Sequence, residues 1–399
     1  VSTARKGEDI IVRKIHRCRS CGSAQLVSFL ELGKLPQGLI PAQHLGVLEG
    51  RVPIELGLCQ RCALVQQMIA TRSPFSELED FAYFGLGSAQ DLQQLVEELD
   101  LGEGNVVLEL GNPLAELRSK LQQSTVKVRG VENLSRDYTQ HHPKVHLILA
   151  HNTLAETDDP GGFVAAIALA LHEDGVALFE SPYIRYLIEG REFDTLHPQH
   201  RSYFSVTSIQ TLLLRHGLRL FRLERHPTRP GLLRFYASKT RPAEPSVYRY
   251  LELERRLGMS GLAFYQEFAS RVASAREALL ALLLELRAKG RRIAAYGASA
   301  RAVLMLNYVG LGREVVEYVV DPDPFKQGLY VPGVHLPVFS PEHALVSRPD
   351  YLLILAWDYA QRIIEQQAEF TRLGGKFIVP LPHPEIVGPA VEEAVGVKR

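Results

Sequence analysis

Cysteine is scarce in this 399-residue chain: there are four, all within the first 62 positions. No disulfide framework can run through the rest of the protein, so packing must hold the later parts together. An excess of one charge is lacking as well. Basic and acidic residues number 45 each, which removes the electrostatic argument for non-specific nucleic-acid binding or a polyanionic partner. No run of about eighteen apolar residues occurs, so no membrane-spanning helix is expected. The segment from Val1 to Arg13 lacks the apolar core of a secretory signal, and a cytoplasmic protein is the expectation. Internal repeats and low-complexity tracts are missing too. What remains is ordinary globular composition, 46% apolar and 23% charged, in a chain long enough for two or three cores.

The four cysteines form two pairs, Cys18-x-x-Cys21 and Cys59-x-x-Cys62. Two residues between cysteines let a tight turn aim both thiolates at one ion, and two such turns complete a tetrahedral set. Two disulfides or a redox pair are the alternatives. A redox pair normally sits at a strand-to-helix junction, whereas Arg17-Cys18-Arg19-Ser20-Cys21-Gly22 opens no such pattern. The reading is structural zinc held by Cys18, Cys21, Cys59 and Cys62, with no position left open for chemistry. The module should span residues 15–67, with short strands at Leu30-Glu31-Leu32-Gly33 and Val52-Pro53-Ile54-Glu55-Leu56.

After a helical connector over residues 76–101, apolar strands alternate with helices. Val106-Val107-Leu108-Glu109-Leu110-Gly111 reads as a buried parallel strand ending in a glycine turn. Further strands are expected at residues 126–132, 145–150 and 176–180. Residues 247–289 read as largely helical, closed by Gly290. A second sheet then follows, with strands at 292–297, 315–320, 351–355 and 377–379. The predicted class is α/β. Two Rossmann-like doubly wound domains, at residues 68–240 and 291–399, are joined by a long helix within 241–290 and preceded by the zinc module.

This succession resembles the nucleotide-sugar C-methyltransferases, over nearly the whole chain. The strongest stretch begins at Ala295-Tyr296-Gly297-Ala298-Ser299-Ala300. It continues through Leu306-Asn307-Tyr308, Val320-Asp321, Lys326-Gln327-Gly328 and Leu355-Ala356-Trp357-Asp358-Tyr359, to Pro380-Leu381-Pro382. The resemblance implies S-adenosylmethionine as methyl donor and a nucleotide-linked keto sugar as substrate. A base would remove a proton beside the sugar ketone, and the enolate would take the methyl group.

On the cofactor side the resemblance implies Glu109, Gly111, Glu132 and Asn152, with Glu132 holding the ribose hydroxyls. The glycine-rich turn is altered: Glu109-Leu110-Gly111-Asn112-Pro113-Leu114-Ala115 stands where the family reads E-I-G-S-N-D-G. The catalytic segment is Phe193-Asp194-Thr195-Leu196-His197-Pro198-Gln199-His200-Arg201-Ser202-Tyr203-Phe204-Ser205, against the family's F-D-T-I-Y-H-E-H-x-S-Y-F-S. Only His200 of the inner tetrad keeps its match. His197 stands at the tyrosine position, Gln199 cannot act as a carboxylate base, and Glu156 stands where histidine is expected in Ala150-His151-Asn152-Thr153-Leu154-Ala155-Glu156. His197 with Glu156 is a candidate new His–carboxylate dyad, and Tyr83 lies where the family places active-site tyrosines. Each of these also has a plain structural reading, as a hydrogen-bonded or core-packed side chain.

In the second sheet the Gly297-Ala298-Ser299 turn offers helix-start amides to a phosphate. By resemblance that phosphate belongs to the nucleotide sugar, with Lys326 assisting, so Gly297, Ser299 and Lys326 are the substrate-binding candidates. A nicotinamide site is the competing reading, but the full G-x-G-x-x-G fingerprint is absent. Two functions stay open: a divergent C-methyltransferase, or a non-methylating member that binds a ligand or partner or runs another reaction.

Overall fold

The computed structural model describes residues 11–36, 38–46, 49–72, 89–110, 127–131, 134, 142, 144–226 and 231–388. The described strands form a two-, a four-, a six- and an eight-stranded sheet, and two strands are lent from one part of the chain to the sheet of another. The N-terminal module contains β1 (Ile11–Lys14), β2 (Leu26–Pro36), β3 (Ile40–Pro41), β4 (Arg51–Cys59), β5 (Val65–Gln67) and β6 (Ile69–Arg72). Strands β2, β4 and β5 form an antiparallel sheet, and β1 pairs separately with β6. β4 is buried along nearly its whole length, because apolar layers lie against both of its faces.

Helix α1 (Ala89–Glu98) leads into the first large sheet. That sheet is built from β7 (Val106–Leu110), β8 (Lys127–Val131), β9 (Val145–His151), β10 (Leu171–Pro182), β12 (Arg219–Arg225) and β13 (Leu232–Ser238), in the order β12-β13-β10-β9-β7-β8. β7 to β10 run parallel, β13 is antiparallel to β10, and β12, antiparallel to β13, again runs in the direction of β10. The chain leaves β7 for β8 on one side and returns to β9 on the other. The C-terminal ends of β7 and β9 therefore flank a topological switch point, where doubly wound sheets bind ligands. The intervening helices are α2 (Thr153–Glu156), α3 (Pro160–Ala170), α4 (Ile184–Gly190) and α5 (Val206–Arg215). The two-residue strand β11 (Ser202–Tyr203) belongs to this stretch of chain but adds to the N-terminal sheet, pairing with β5.

The helical region expected over residues 247–289 is two helices, α6 (Pro245–Leu257) and α7 (Leu262–Ala288). Gly258 ends α6 at φ +70°, a conformation open to glycine at little cost, and its amide closes on Arg255. α7 buries Tyr265, Phe268, Val272, Ala275, Leu279, Leu283 and Leu286, a stripe at helical spacing. The second large sheet follows, with β14 (Ile293–Tyr296), β15 (Val319–Val320), β16 (Leu329–Val331), β17 (Leu336–Phe339), β18 (Tyr351–Ile354), β19 (Lys376–Val379) and β20 (Glu385–Val387). Its order is β20-β19-β18-β14-β15-β17-β16-β3. The strand expected over residues 315–320 narrows to two residues, and β16, β17 and β20 were not anticipated. α8 (Ala300–Val309) starts just beyond β14.

The outermost strand of this second sheet, β3, comes from the N-terminal module, with Ile40 and Pro41 opposite Tyr330 and Leu329. One apolar core is shared accordingly. Leu30, Leu56 and Val65 of the module pack in the same cluster as Ile184 and Phe193, the α7 stripe, and Ile293 and Val319 of the second sheet. Cys18, Cys59 and Cys62 lie in a different cluster, with Leu108, Ile148 and Phe179 of the first sheet.

Glu254 ties α6 to the start of α5. It is 1% exposed. One carboxylate oxygen accepts from the Tyr183 hydroxyl at 2.8 Å and the Val206 amide at 2.6 Å. The other accepts from the Thr207 amide at 2.8 Å and hydroxyl at 2.6 Å. The acid thus satisfies orphan donors at a helix N-terminus, where negative charge is favoured. Glu254→Ala should leave several buried donors unpaired and cost about 3 kcal/mol. Chemical denaturation checks this; an unchanged midpoint would show that water replaces the carboxylate freely.

Candidate functional site

The sulfur atoms of Cys18, Cys21, Cys59 and Cys62 all lie within 4.8 Å of one another. Cys18 and Cys62 are 3.6 Å apart and Cys21 and Cys59 3.5 Å apart. These distances are too long for disulfides. They are close to the ~3.8 Å edge of a tetrahedron with Zn–S bonds of about 2.3 Å. Without a cation the thiols cannot all ionise. The hydrogen bond from Cys62 pulls Cys18 down to about 5, while burial pushes Cys59 up to about 11 and the Cys18 bond pushes Cys62 up. A divalent, thiophilic ion resolves that conflict, so the residues fit zinc. They are all protein ligands, and the site has no open position.

At the switch point of the first sheet, β9 ends in His151 and the chain turns through Asn152 at φ +53° into α2. The left-handed turn lets the Asn152 amide N–H bond to Glu180 O at 2.9 Å and aims its side chain inward. Asn152 Nδ2 lies 2.9 Å from Glu156 Oε1 and 2.9 Å from His200 Nε2. An ionised carboxylate only accepts, so the side-chain amide donates to Glu156. The same NH₂ group then donates to His200, which places the imidazole lone pair on Nε2 and its proton on Nδ1. Burial pulls His200 down to about 4, keeping it neutral, and pushes Glu156 up. The structure thus joins Glu156 to His200 through Asn152, where the sequence suggested His197 as the carboxylate's partner. His197 sits one turn away and accepts the Gln199 amide at Nδ1, 3.2 Å. Burial, then the neighbouring His200, pulls it down to about 3.

A row of charged side chains crosses the sheet beneath this point. Glu180 on β10 is in register with His151 on one side and Arg234 on the other. It takes hydrogen bonds from both, at 2.8 and 2.7 Å. Burial would raise Glu180, but these partners outweigh it and hold the carboxyl at about 2. His151 Nε2 is 3.9 Å from the fully buried Glu109 on β7. Glu109 is therefore at the switch point, as expected of a cofactor-side residue. Asn152 Oδ1 is buried there with no described partner.

The His197–His200 turn is fastened from both sides. Gln67 of β5 bonds His197 O through Nε2 at 3.5 Å and Arg201 O through its backbone N–H at 3.0 Å. On the other side Asp194, 2% exposed, accepts from Arg301 at the start of α8 and from the Trp357 indole, at 3.1 and 2.9 Å.

In the second sheet Gly297 takes φ +97°, and Ser299 caps α8 through Ala302. The Ala298 amide, offered to a phosphate by the sequence reading, donates to Asp321 at 2.7 Å. Lys326 lies 3.4 Å from the same carboxylate oxygen. Of the three substrate-side candidates Lys326 meets Asp321, while the Gly297 amide bonds Val320 O and Ser299 is occupied as the helix cap. Tyr83, Gly111 and Glu132 lie outside the described residues.

Two family models match the chain. The C-methyltransferase C-terminal domain covers residues 227–382, and a zinc binding domain covers residues 18–72. Over 94% of its length the chain is 29% identical to the C-methyltransferase NovU of Streptomyces niveus, of which it covers 98%. The chain is thus similar to a C-methyltransferase along nearly its whole length. Among solved structures, an S-adenosylmethionine-dependent methyltransferase from Clostridium acetobutylicum matches 43% of this chain and 96% of its own at 11% identity, TM-score 0.30. The 1,6-didemethyltoxoflavin-N1-methyltransferase of Burkholderia thailandensis matches 40% and 82% at 17% identity, TM-score 0.30. Likenesses of that size carry no argument about the site. No described helix is long and apolar enough to cross a membrane.

Several residues of the site escaped the sequence reading. Glu180 was visible only as the last residue of an expected strand, although a Glu at the end of an apolar strand is a signal; His151 was only a motif residue, and Arg234 lay in no expected strand. Trp357 lay in a recognised motif and Arg301 just past the end of another, without any hint that they meet Asp194.

Two outcomes follow from this geometry. Purified protein should carry one zinc per chain, and Cys59→Ser should lose the metal together with most near-ultraviolet dichroism; a folded, metal-free variant would show that the thiols serve another purpose. The buried histidines set an acid limit. Their folded pKa values lie below the ordinary ~6.5, so the unfolded chain binds protons first and stability falls as pH drops from ~6.5 toward 3. His200 alone should cost on the order of 3 kcal/mol by pH 4; Glu156, shifted upward, works in the opposite sense. Urea midpoints measured from pH 7 to pH 4 should fall less steeply for His200→Asn with His197→Asn, and an equally steep fall would assign the acid limit elsewhere.

Proposed function

We propose that this protein is an S-adenosylmethionine-dependent C-methyltransferase acting on a nucleotide-linked keto sugar. The observation that carries the reading is the Glu156–Asn152–His200 chain at the switch point of the first sheet. A neutral, buried imidazole whose lone pair faces inward is in the form a general base requires. The methyl donor fits the described residues in one respect: Glu109 and the unpartnered Asn152 Oδ1 make this end of the sheet rich in acceptors, which suits a cationic ligand bearing hydroxyls. When bound, S-adenosylmethionine supplies an electrophilic methyl group. Glu132 keeps its assignment to the ribose from the sequence alone.

In this reading the proton beside the ketone passes to His200 Nε2, replacing the hydrogen bond now made by Asn152. The cost of an imidazolium in so buried a place is offset by Glu156 on the far side of the amide. Glu156 thereby supplies the negative charge that Gln199, at the family's carboxylate position, cannot. The His197–Gln199 part of the turn lies directly before the base and is held by the Gln199 amide on His197 Nδ1. The nucleotide is assigned to the second sheet, near Gly297, Ser299 and Lys326. There its phosphates would compete with Asp321 for the Ala298 amide and for Lys326.

Calorimetric titration with S-adenosylmethionine and S-adenosylhomocysteine tests the cofactor half. Micromolar binding, lost in Glu132→Ala and kept in His200→Ala, is expected. In turnover, His200→Ala should lose at least about a hundredfold in kcat. No binding of either ligand would remove the methyltransferase reading and leave the non-methylating alternative.

A further inference from the structure

The zinc knuckle does more than close the N-terminal module, because the residue between its first two ligands reaches the catalytic turn. Arg19 sits between Cys18 and Cys21, so a metal bound by both would fix its backbone from either side. Its side chain is only 5% exposed, unusual for an arginine. The Arg19 backbone N–H donates to Gln66 Oε1 at 3.0 Å, and its guanidinium donates to Gln67 O. Gln66 and Gln67 form the end of β5, which pairs with Ser202 and Tyr203 just beyond His200. Gln67 also holds His197 O and Arg201 O. The Tyr203 hydroxyl adds a third bond to His197 O, at 3.5 Å, beside the His200 amide at 3.0 Å.

A second branch leads to the carboxylate. The Arg19 guanidinium lies 3.7 Å from Asp158, which also takes a hydrogen bond from Arg201 at 2.8 Å. Arg201 in turn donates to Glu156 O and Ala155 O, each at 2.8 Å. Asp158 is itself largely exposed, so its ion pairs are individually weak. Their effect is geometric: both ends of the Glu156–Asn152–His200 chain are fastened to one buried arginine.

We infer that Arg19 is a positioning residue, which passes the geometry of the zinc-bound knuckle to His200 through Gln67 and to Glu156 through Asp158 and Arg201. The inference rests on the reading of His200 as the base. In this arrangement the metal's occupancy and the alignment of the base are coupled, although the ion touches no substrate. A side chain of another type at position 19 leaves the thiol set intact but frees the turn, admitting water around His200.

The test uses full-length, zinc-loaded protein and nuclear magnetic resonance titration of the histidine side chains. Wild-type His200 should titrate near pH 4 and show the Nδ1-protonated tautomer. In Arg19→Gln, zinc should stay at one per chain, while the His200 midpoint moves up by one unit or more toward 6.5 and kcat falls about tenfold or more. The KM for the methyl donor should hold. Arg19→Lys should recover part of both changes, and it serves as the readable variant where glutamine does not fold. Gln67→Ala should move His200 in the same direction, with His146 as the unmoved control. An unchanged His200 titration in Arg19→Gln would overturn the inference, as would a shift that merely tracks lost zinc. Undiminished kcat in His200→Ala would overturn the reading of the base itself, which separates the two failures.

Discussion

Four sulfur atoms crowded into an apolar core set the terms for everything around them. Three of the four cysteines are buried against strands of the first large sheet, where an uncompensated thiolate is expensive and four together are prohibitive. One divalent ion turns that liability into a rigid joint. Because the joint lies inside the neighbouring domain's core, its rigidity is not confined to the module. β5 leaves the second knuckle and pairs at once with β11, and the His197–His200 turn hangs from that pairing. His200, Glu156 behind it and the cysteine set therefore share one frame of hydrogen bonds.

The large-scale plan was legible because its signals are local. Cys-x-x-Cys spacing reports a metal turn irrespective of fold, and runs such as Val106–Leu110 or Val145–Ala150 report buried parallel strands by apolarity alone. What escaped is non-local. Nothing in Ile40-Pro41 announces pairing with Leu329-Tyr330 almost three hundred residues later, and the two-residue strands β11 and β15 carry too little pattern to read. The largely helical region expected from 247 to 289 is there, with a break whose local signal could have been weighed. Gly258 and Gly261 bracket a four-residue interruption, and glycine in the left-handed conformation ends helices.

At the site, sequence found His200, Glu156 and Asn152 as separate candidates but linked the carboxylate to the wrong histidine. Residue type cannot reveal which way a left-handed asparagine will point, and the Asn152 turn decides the matter. The substitution of Gln199 for a carboxylate looked like a loss when judged position by position. In three dimensions a carboxylate is still joined to His200, now from α2 and across an amide. The second sheet held the reverse lesson: the Gly297 turn reads as an open anion cradle, yet Asp321 already fills its first amide.

The borrowed edge strand bears on how such a protein could have been assembled in evolution. The C-methyltransferase C-terminal domain is matched as a unit from residue 227 to 382, but as folded here that unit does not finish its own sheet. β16 takes its outer neighbour, β3, from the opposite end of the chain. A gene segment shuffled without the first module would present an unpaired strand edge, an invitation to aggregate. Recombination that preserves solubility must carry the two ends together, so the module and the C-terminal sheet form one heritable piece despite lying at opposite termini.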